Sequence, residues 1–168
     1  MTDDAVHRLI HHSPLGRLAL EGGRWGLRSV RFDDEAAEGE TRDTGALAEA
    51  ARQLDDYFAG RRCAFDVPLD LRGGALETRV WAGLREIPHG TTVSYGELAE
   101  AVGRPDAVRA VAGAVARTPV PIVIPCHRVI GADGALRGYV GGLERKAALL
   151  DHERAGVPAA AAPQLELL

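Results

Sequence analysis

Cys126 is preceded by Pro125 and the apolar run 120–124, and followed by His127 and Arg128. A thiolate beside a base or a cation is an activated nucleophile. A free thiol titrates near ~8.5 and is mostly protonated at neutral pH, so its neighbours decide its chemistry. His127 is the nearest base. On an extended chain adjacent side chains point to opposite sides, so a water is expected between His127 and the sulfur. Glu153 is the expected third member. On a helix over 143–154, Leu143, Lys146, Leu150 and Glu153 share one face, which sets a carboxylate beside an apolar stripe where it needs a partner. Spacing alone leaves such a Cys-His-Glu set shared with thiol hydrolases. It also leaves the plainer reading of a buried thiol, a surface histidine and a helix-end carboxylate. Cys63, the other cysteine, falls in an expected core strand with no base beside it.

A second unusual segment is 105–117. Ala107, Ala110, Ala112, Gly113, Ala114 and Ala116 make it nearly bare of bulk, while Arg109 and Arg117 project. Small residues let a helix backbone come close to a partner, either another helix or a DNA groove.

The elements that must position these residues read as follows. Strands are expected over 6–20 and 25–32, joined by a hairpin turn at Glu21-Gly22-Gly23-Arg24. An acidic loop over 33–43 leads to a helix over 46–58 with Leu47, Ala50, Ala51, Leu54, Tyr57 and Phe58 on one stripe, ended near Gly60. A short strand over 63–71 closes the first domain at Arg72-Gly73-Gly74. The second half is mainly helical. A helix over 78–86 turns Val80, Trp81 and Leu84 inward and is broken at Pro88-His89-Gly90. Ser94 and Glu97 form a Ser-x-x-Glu capping box for a helix to about Val102. Gly103 ends it, and Pro105 begins the Ala-rich helix at a position where proline is welcome. Two helices joined this way suggest a helix-turn-helix. The run 120–124 reads as extended, Asp133-Gly134 as a turn, and 157–168 as a poorly ordered Ala/Pro-rich tail.

A chain of 168 residues suits one generous domain or two small ones, and its 46% hydrophobic and 26% charged content is that of a globular protein with a core. No stretch approaches the ~20 apolar residues of a membrane span. Acidic Asp3 and Asp4 stand where a signal peptide would be basic, so a cytoplasmic protein without disulfides is expected. Nineteen of the twenty basic residues are Arg and only Lys146 is Lys, a compositional bias. The net charge of −4 argues against a nucleic-acid binder acting through bulk charge, but all of it sits in residues 1–72; residues 73–168 are neutral, and 79–128 hold six Arg against four acids. Any DNA contact should use the second half, with modest salt dependence.

Pro125-Cys126-His127-Arg128-Val129-Ile130 resembles the active-site motif of the O6-alkylguanine-DNA alkyltransferases, the methylated-DNA–protein-cysteine methyltransferases. Thr92-Val93-Ser94-Tyr95-Gly96-Glu97-Leu98-Ala99, Ala107-Val108-Arg109-Ala110-Val111, Gly138-Tyr139 and Gly141-Gly142-Leu143-Glu144-Arg145-Lys146 resemble further family segments in the same order. Ser13-Pro14-Leu15-Gly16 and Tyr57-Phe58-Ala59-Gly60 are similar more weakly.

The resemblance implies roles. Cys126 is the alkyl acceptor, His127 its base through a water, and Glu153 orients His127. Tyr95 hydrogen-bonds the guanine ring and assists its departure. Arg109 is the arginine finger that takes a flipped nucleotide's place in the stack. Tyr139 lines the pocket, the Val140 backbone donates to O6, and the carbonyls of Cys126 and Val129 accept from the exocyclic amine. Ser94 and Arg128 belong to the same substrate- and DNA-binding set. Some features depart from the family pattern. Thr118 stands where the family usually has an Asn hinge, and has no amide to make paired bonds. Val140 replaces a Ser of some members, and Ala75-Leu76-Glu77 replaces a commoner aromatic-Gln pair. The zinc ligands of some relatives have no counterparts, His11 and His12 alone making no site.

The expected fold class is α+β. A ribonuclease-H-like α/β domain would span 1–72, a helical, winged-helix-like catalytic domain 73–156, and a flexible tail 157–168. The implied function is single-turnover repair of O6-alkylguanine in duplex DNA, with O4-alkylthymine as a further candidate lesion. The base is flipped out, the minor groove is entered, and the protein acts as a monomer without cofactor or metal. The alternatives are a thiol hydrolase and a non-catalytic damage binder. The first leaves the Arg109 helix without a task, and the second would not need Cys126.

Overall fold

The computed structural model describes residues 5–35 and 45–156. Most of the expected acidic loop and the whole expected tail lie outside the described residues. The chain divides into two compact units, Met1–Arg72 and Gly73–Leu168.

The first unit is a three-stranded antiparallel sheet with a helix. Strands β1 (His7–Ser13), β2 (Gly16–Gly23) and β3 (Gly26–Phe32) lie in the order β1-β2-β3. The expected single strand over 6–20 is two strands, because Ser13-Pro14-Leu15-Gly16 is a turn. The Ser13 hydroxyl donates to the Gly16 carbonyl at 2.7 Å and accepts from the Leu15 N–H at 3.2 Å, the local bonding for which serine is favoured in turns. The second turn falls at Arg24-Trp25 rather than over 21–24, because β2 runs on to Gly23, with a register shift at Glu21/Gly22. Helix α1 (Ala46–Phe58) packs Leu47, Ala50, Leu54 and Tyr57 on the sheet. The expected strand over 63–71 is absent. Leu69 makes a single bridge to Leu27, flanked by Leu27 N–H to Pro68 O (2.8 Å) and Asp70 N–H to Leu27 O (2.9 Å). That approach requires Gly26, whose φ is 136° and where a Cβ would stand 2.4 Å from Pro68 O. Cys63 is therefore exposed rather than in a core strand.

In the second unit, α2 (Ala75–Arg85) begins three residues earlier than expected. Gly74 is its N-cap, and the Glu77 carboxylate accepts the Gly74 N–H. Val80, Trp81 and Leu84 are buried as expected. A two-residue strand, β4 (Val93–Ser94), leads into α3 (Tyr95–Ala101). The capping box is present on both sides: Ser94 Oγ accepts the Glu97 N–H at 3.0 Å, and Glu97 accepts the Ser94 N–H at 2.9 Å. Gly103, with φ of 76°, lets Arg104 N–H reach back to Ala99 O and ends the helix. Helix α4 is shorter than 105–117. It runs Val108–Ala116, and Pro105 sits in the preceding turn rather than at its first position.

Helix α4 packs on α2 and α3, burying Val111, Ala114 and Val115. Trp81 Nε1 donates to the Ala114 carbonyl at 2.9 Å, a contact that a bulky side chain in place of Ala114 would obstruct. After α4 come a 3-10 turn (Cys126–Arg128), β5 (Val129–Ile130) parallel to β4, and α5 (Leu143–Ala155). The α5 face differs from the expected stripe by one residue: Lys146, Leu149, Leu150 and Glu153 are buried, while Leu143 is exposed.

Candidate active site

The run 120–124 turns instead of extending. Ile124 N–H bonds to Val120 O at 2.9 Å, Pro121 and Ile124 bridge, and Ile122 takes φ of 73°. A β-branched residue in that region costs about 1–3 kcal/mol, held here by full burial of the Ile122 side chain. The reversal delivers Cys126, His127 and Arg128 as one 3-10 turn, closed by Arg128 N–H to Pro125 O at 3.0 Å. Successive side chains of such a turn diverge by about a third of a circle. The extended geometry expected at Cys126 and His127 is therefore replaced.

Behind the turn, Glu153 on α5 collects its neighbours. His127 Nε2 lies 2.7 Å from Glu153 Oε1. Arg128 donates from Nε and one terminal nitrogen to the two carboxylate oxygens, each at 2.8 Å, and from the other terminal nitrogen to Ile87 O at 2.6 Å. Gly90 N–H reaches Glu153 Oε2 at 3.4 Å, and His89 Nδ1 lies 3.9 Å from Oε1. Burial alone would raise the Glu153 carboxyl, but the hydrogen bonds from His127 and Arg128 outweigh it and hold the group well below the usual carboxylate range. Glu153 is thus ionised and accepts a hydrogen bond from His127 Nε2–H, leaving the lone pair on His127 Nδ1. That atom is buried without a hydrogen-bond partner among the described residues. Burial lowers the His127 pKa, so the ring is neutral at neutral pH.

In front of the turn is a cavity of about 450 Å³ lined from three elements. Cys126 comes from the turn, Tyr95 from α3, and Ala112, Val115 and Ala116 from α4; the chain from Arg137 to Val140 forms the remaining wall. Burial pushes the Cys126 thiol up to about 12, against the Thr118 hydroxyl and the charge of Lys146, which pull it down. Thr118 is buried at the end of α4 and its hydroxyl donates to Val115 O at 2.7 Å. Burial, then the charge at Cys126, raises the Tyr95 phenol, so Tyr95 is a proton donor at neutral pH.

The expected site residues divide into three groups. Cys126, Tyr95, Tyr139 and Val140 meet at the cavity, with Val140 exposed at its edge. His127, Arg128 and Glu153 form the buried cluster behind it. Val129, Ser94 and Arg109 are not in the cavity wall: Val129 is buried in β5, Ser94 caps α3, and Arg109 is exposed on α4. Arg109, Ala112 and Ala116 follow i, i+3, i+7 spacing, so Arg109 lies on the α4 face that ends at the cavity. Sequence reasoning did not pair Arg128 with Glu153, and read His89 only as part of a helix break. A buried cation needs a buried anion, but no local pattern links positions this far apart. Among the described residues no cluster of His, Cys, Asp and Glu is arranged to hold a metal ion.

Residues 6–71 match the family model described as the 6-O-methylguanine DNA methyltransferase ribonuclease-like domain, and residues 75–155 that family's DNA-binding domain. The methylated-DNA–protein-cysteine methyltransferase of Mycolicibacterium paratuberculosis is 50% identical over 151 residues, covering 88% of this chain and 92% of that protein. The crystal structure of Mycobacterium tuberculosis O6-methylguanine methyltransferase superposes with a TM-score of 0.82 at 46% identity, covering 92% of this chain and 96% of that one. A structure of Mycobacterium tuberculosis OGT in complex with DNA is similar at a TM-score of 0.80 and 47% identity, covering 89% and 94%.

Proposed function

This chain belongs to the 6-O-methylguanine DNA methyltransferase family, and from that premise we propose that it repairs DNA by transferring an alkyl group from O6 of guanine, once, onto Cys126. The observation that carries the assignment to this residue is that Cys126 lines a cavity of about 450 Å³, roomy enough for a purine, and is followed in the same turn by His127, which is bonded to buried Glu153. The thiol alone is too weak an acid to react, and His127 Nδ1 supplies the missing base through a water.

The reaction is a displacement. The Cys126 proton passes to His127 Nδ1. The sulfur–carbon bond forms as the carbon–O6 bond breaks, and the electron pair goes to guanine. Tyr95 donates a hydrogen bond to the departing base, which then takes up the proton held at His127. Charge that develops on the leaving base is met by fixed donors rather than by water. A thioether is a stable product, so each molecule acts once.

A guanine inside a duplex hides O6, so the base must leave the stack, with a cost of a few kcal/mol. Arg109 offsets part of this by filling the gap. Its helix face is otherwise small (Ala112 and Ala116), which suits close approach of α4 to the minor groove. The cavity then receives the base between Tyr95 and Tyr139, with the Val140 backbone donating to O6 and the Cys126 and Val129 carbonyls accepting from the amine. Ser94 and Arg128 act by holding α3 and the Cys126 turn. The second unit carries DNA binding and catalysis, and the protein works as a monomer in the cytoplasm. Among the described residues no helix is long and apolar enough to cross a membrane.

A thiol hydrolase on the same residues would turn over and would have no use for Arg109. The deciding experiment is intact-protein mass after mixing with a duplex containing one O6-methylguanine. One added methyl per molecule, mapped to Cys126, is the expected result; repeated turnover or a methyl on another residue overturns the proposal.

A further inference from the structure

Lys146 is the chain's one lysine, and it is only 1% exposed. Its ammonium donates to the carbonyls of Arg137 (2.7 Å) and Gly138 (3.2 Å), where the chain enters the cavity wall. Two bonds to backbone keep it from reaching out to water. Among the described residues no carboxylate pairs with it. A buried ammonium without an anion is costly, and such groups pair or lose their charge.

The other charges of the site are matched. Arg128 from the turn is matched by Glu153 from α5, and Arg137 by Asp133 at 3.0 Å. His127 is neutral, and Tyr95 from α3 keeps its proton. With Cys126 as a thiol, the buried set therefore holds one unmatched positive charge, that of Lys146. With Cys126 as a thiolate the charge is cancelled.

We propose that Lys146 is the counter-charge of the Cys126 thiolate, a positioning residue that also ties the Arg137–Gly138 wall to α5. The inference rests on Cys126 being the alkyl acceptor. It explains why a lysine is kept inside when a methionine of similar reach would fill the same space at less electrostatic cost. The mutual influence agrees: burial lowers Lys146 and the Cys126 charge opposes it, while Lys146 pulls the buried thiol down.

The test uses the single lysine. In protein labelled with ¹³C at the lysine ε-carbon, one signal reports Lys146. In a Cys63→Ser background, iodoacetamide reports Cys126 reactivity against pH. If the two groups form one ion pair, they share a macroscopic step, and Cys126 reactivity stops rising where the lysine signal titrates. Reactivity that climbs unchanged through that titration overturns the proposal. Lys146→Met should lower Cys126 reactivity with iodoacetamide at any given pH on the rising part of the profile by about 10- to 1000-fold, and slow methyl transfer at neutral pH to a similar extent. Lys146→Arg, which keeps the charge, should restore most of the profile. Slow transfer in Lys146→Met with an unmoved profile would leave only the tie to the wall and would also overturn it. Failure here with methyl still found on Cys126 leaves the repair function standing. Methyl found elsewhere removes the function whatever the lysine does.

Discussion

Arg128 and Glu153 form a two-point ion pair inside the second unit, with both donor–acceptor distances at 2.8 Å. The same carboxylate lies 2.7 Å from His127. One anion thus holds both the Arg128 guanidinium and the His127 ring.

Replacing it therefore has two effects. Glu153→Gln leaves Arg128 buried beside a neutral amide, and breaking such a pair costs about 3–5 kcal/mol. It also removes the negative charge that fixes the His127 tautomer and would stabilise the ring once protonated, which should slow single-turnover transfer by about 10²–10⁴-fold. Urea unfolding and quenched-flow transfer measure the two separately. Full stability, or an unchanged rate, would remove Glu153 from that role.

The two cysteines should separate by reagent. Cys63 is exposed and Cys126 is 4% exposed. A small electrophile in water should label Cys63 first, whereas methyl from a damaged duplex should appear only on Cys126. Peptide mapping after each treatment decides it. Methyl on Cys63 would mean that accessibility, not the His127–Glu153 pair, selects the acceptor.

Arg109→Ala should slow repair of duplex DNA strongly at saturating DNA and leave reaction with free O6-benzylguanine nearly unchanged, since a free base needs no flipping. An arginine that merely met a phosphate would weaken binding and lower the salt dependence by about one charge. Equal loss on both substrates would assign Arg109 to the fold.

The pH dependence has a sign at each end. The Cys126 thiol moves from 9.0 to about 12 on folding, so the folded state holds a proton that the unfolded chain has lost. That stability is present below about 9 and falls as pH rises towards 12, by about 1 kcal/mol or more per pH unit. Cys126→Ser should lack this loss in pH-dependent unfolding. His127 is lowered by burial, so its contribution is present above 6.5 and is lost as pH falls through its folded value, which lies below 6.5; transfer should slow through that same lower range. A transfer rate that stays flat across the acid limb would exclude His127 as the base.

Local chemistry was legible in the sequence. The Ser94–Glu97 box, the Gly103 stop and the α1 stripe depend on residues within one or two turns, and the structure has all three. The same holds for the Cys126-His127-Arg128 run as a chemical unit. Illegible were features set by distant partners. The run 120–124 is apolar throughout and carries no period, so nothing local distinguishes a strand from the strained turn at Ile122. The segment 63–71 alternates like a strand but meets only Leu27. Glu153 stands out from its helix face, yet its bond to Arg128 needs α5 and the 3-10 turn in contact. Lys146 was visible on the same face, while its carbonyl partners come from a loop that no periodicity places.

The burial of Cys126 bears on shelf life. A single-use protein must wait for a rare lesion in a cell that contains peroxides, glutathione disulfide and small electrophiles. Oxidation to sulfenic acid proceeds through the thiolate and needs access. A thiol that is 4% exposed and held protonated is slow to enter that path, while the exposed Cys63 meets those agents first. The low acidity that handicaps Cys126 as a nucleophile is also what preserves it as a thiol through that wait.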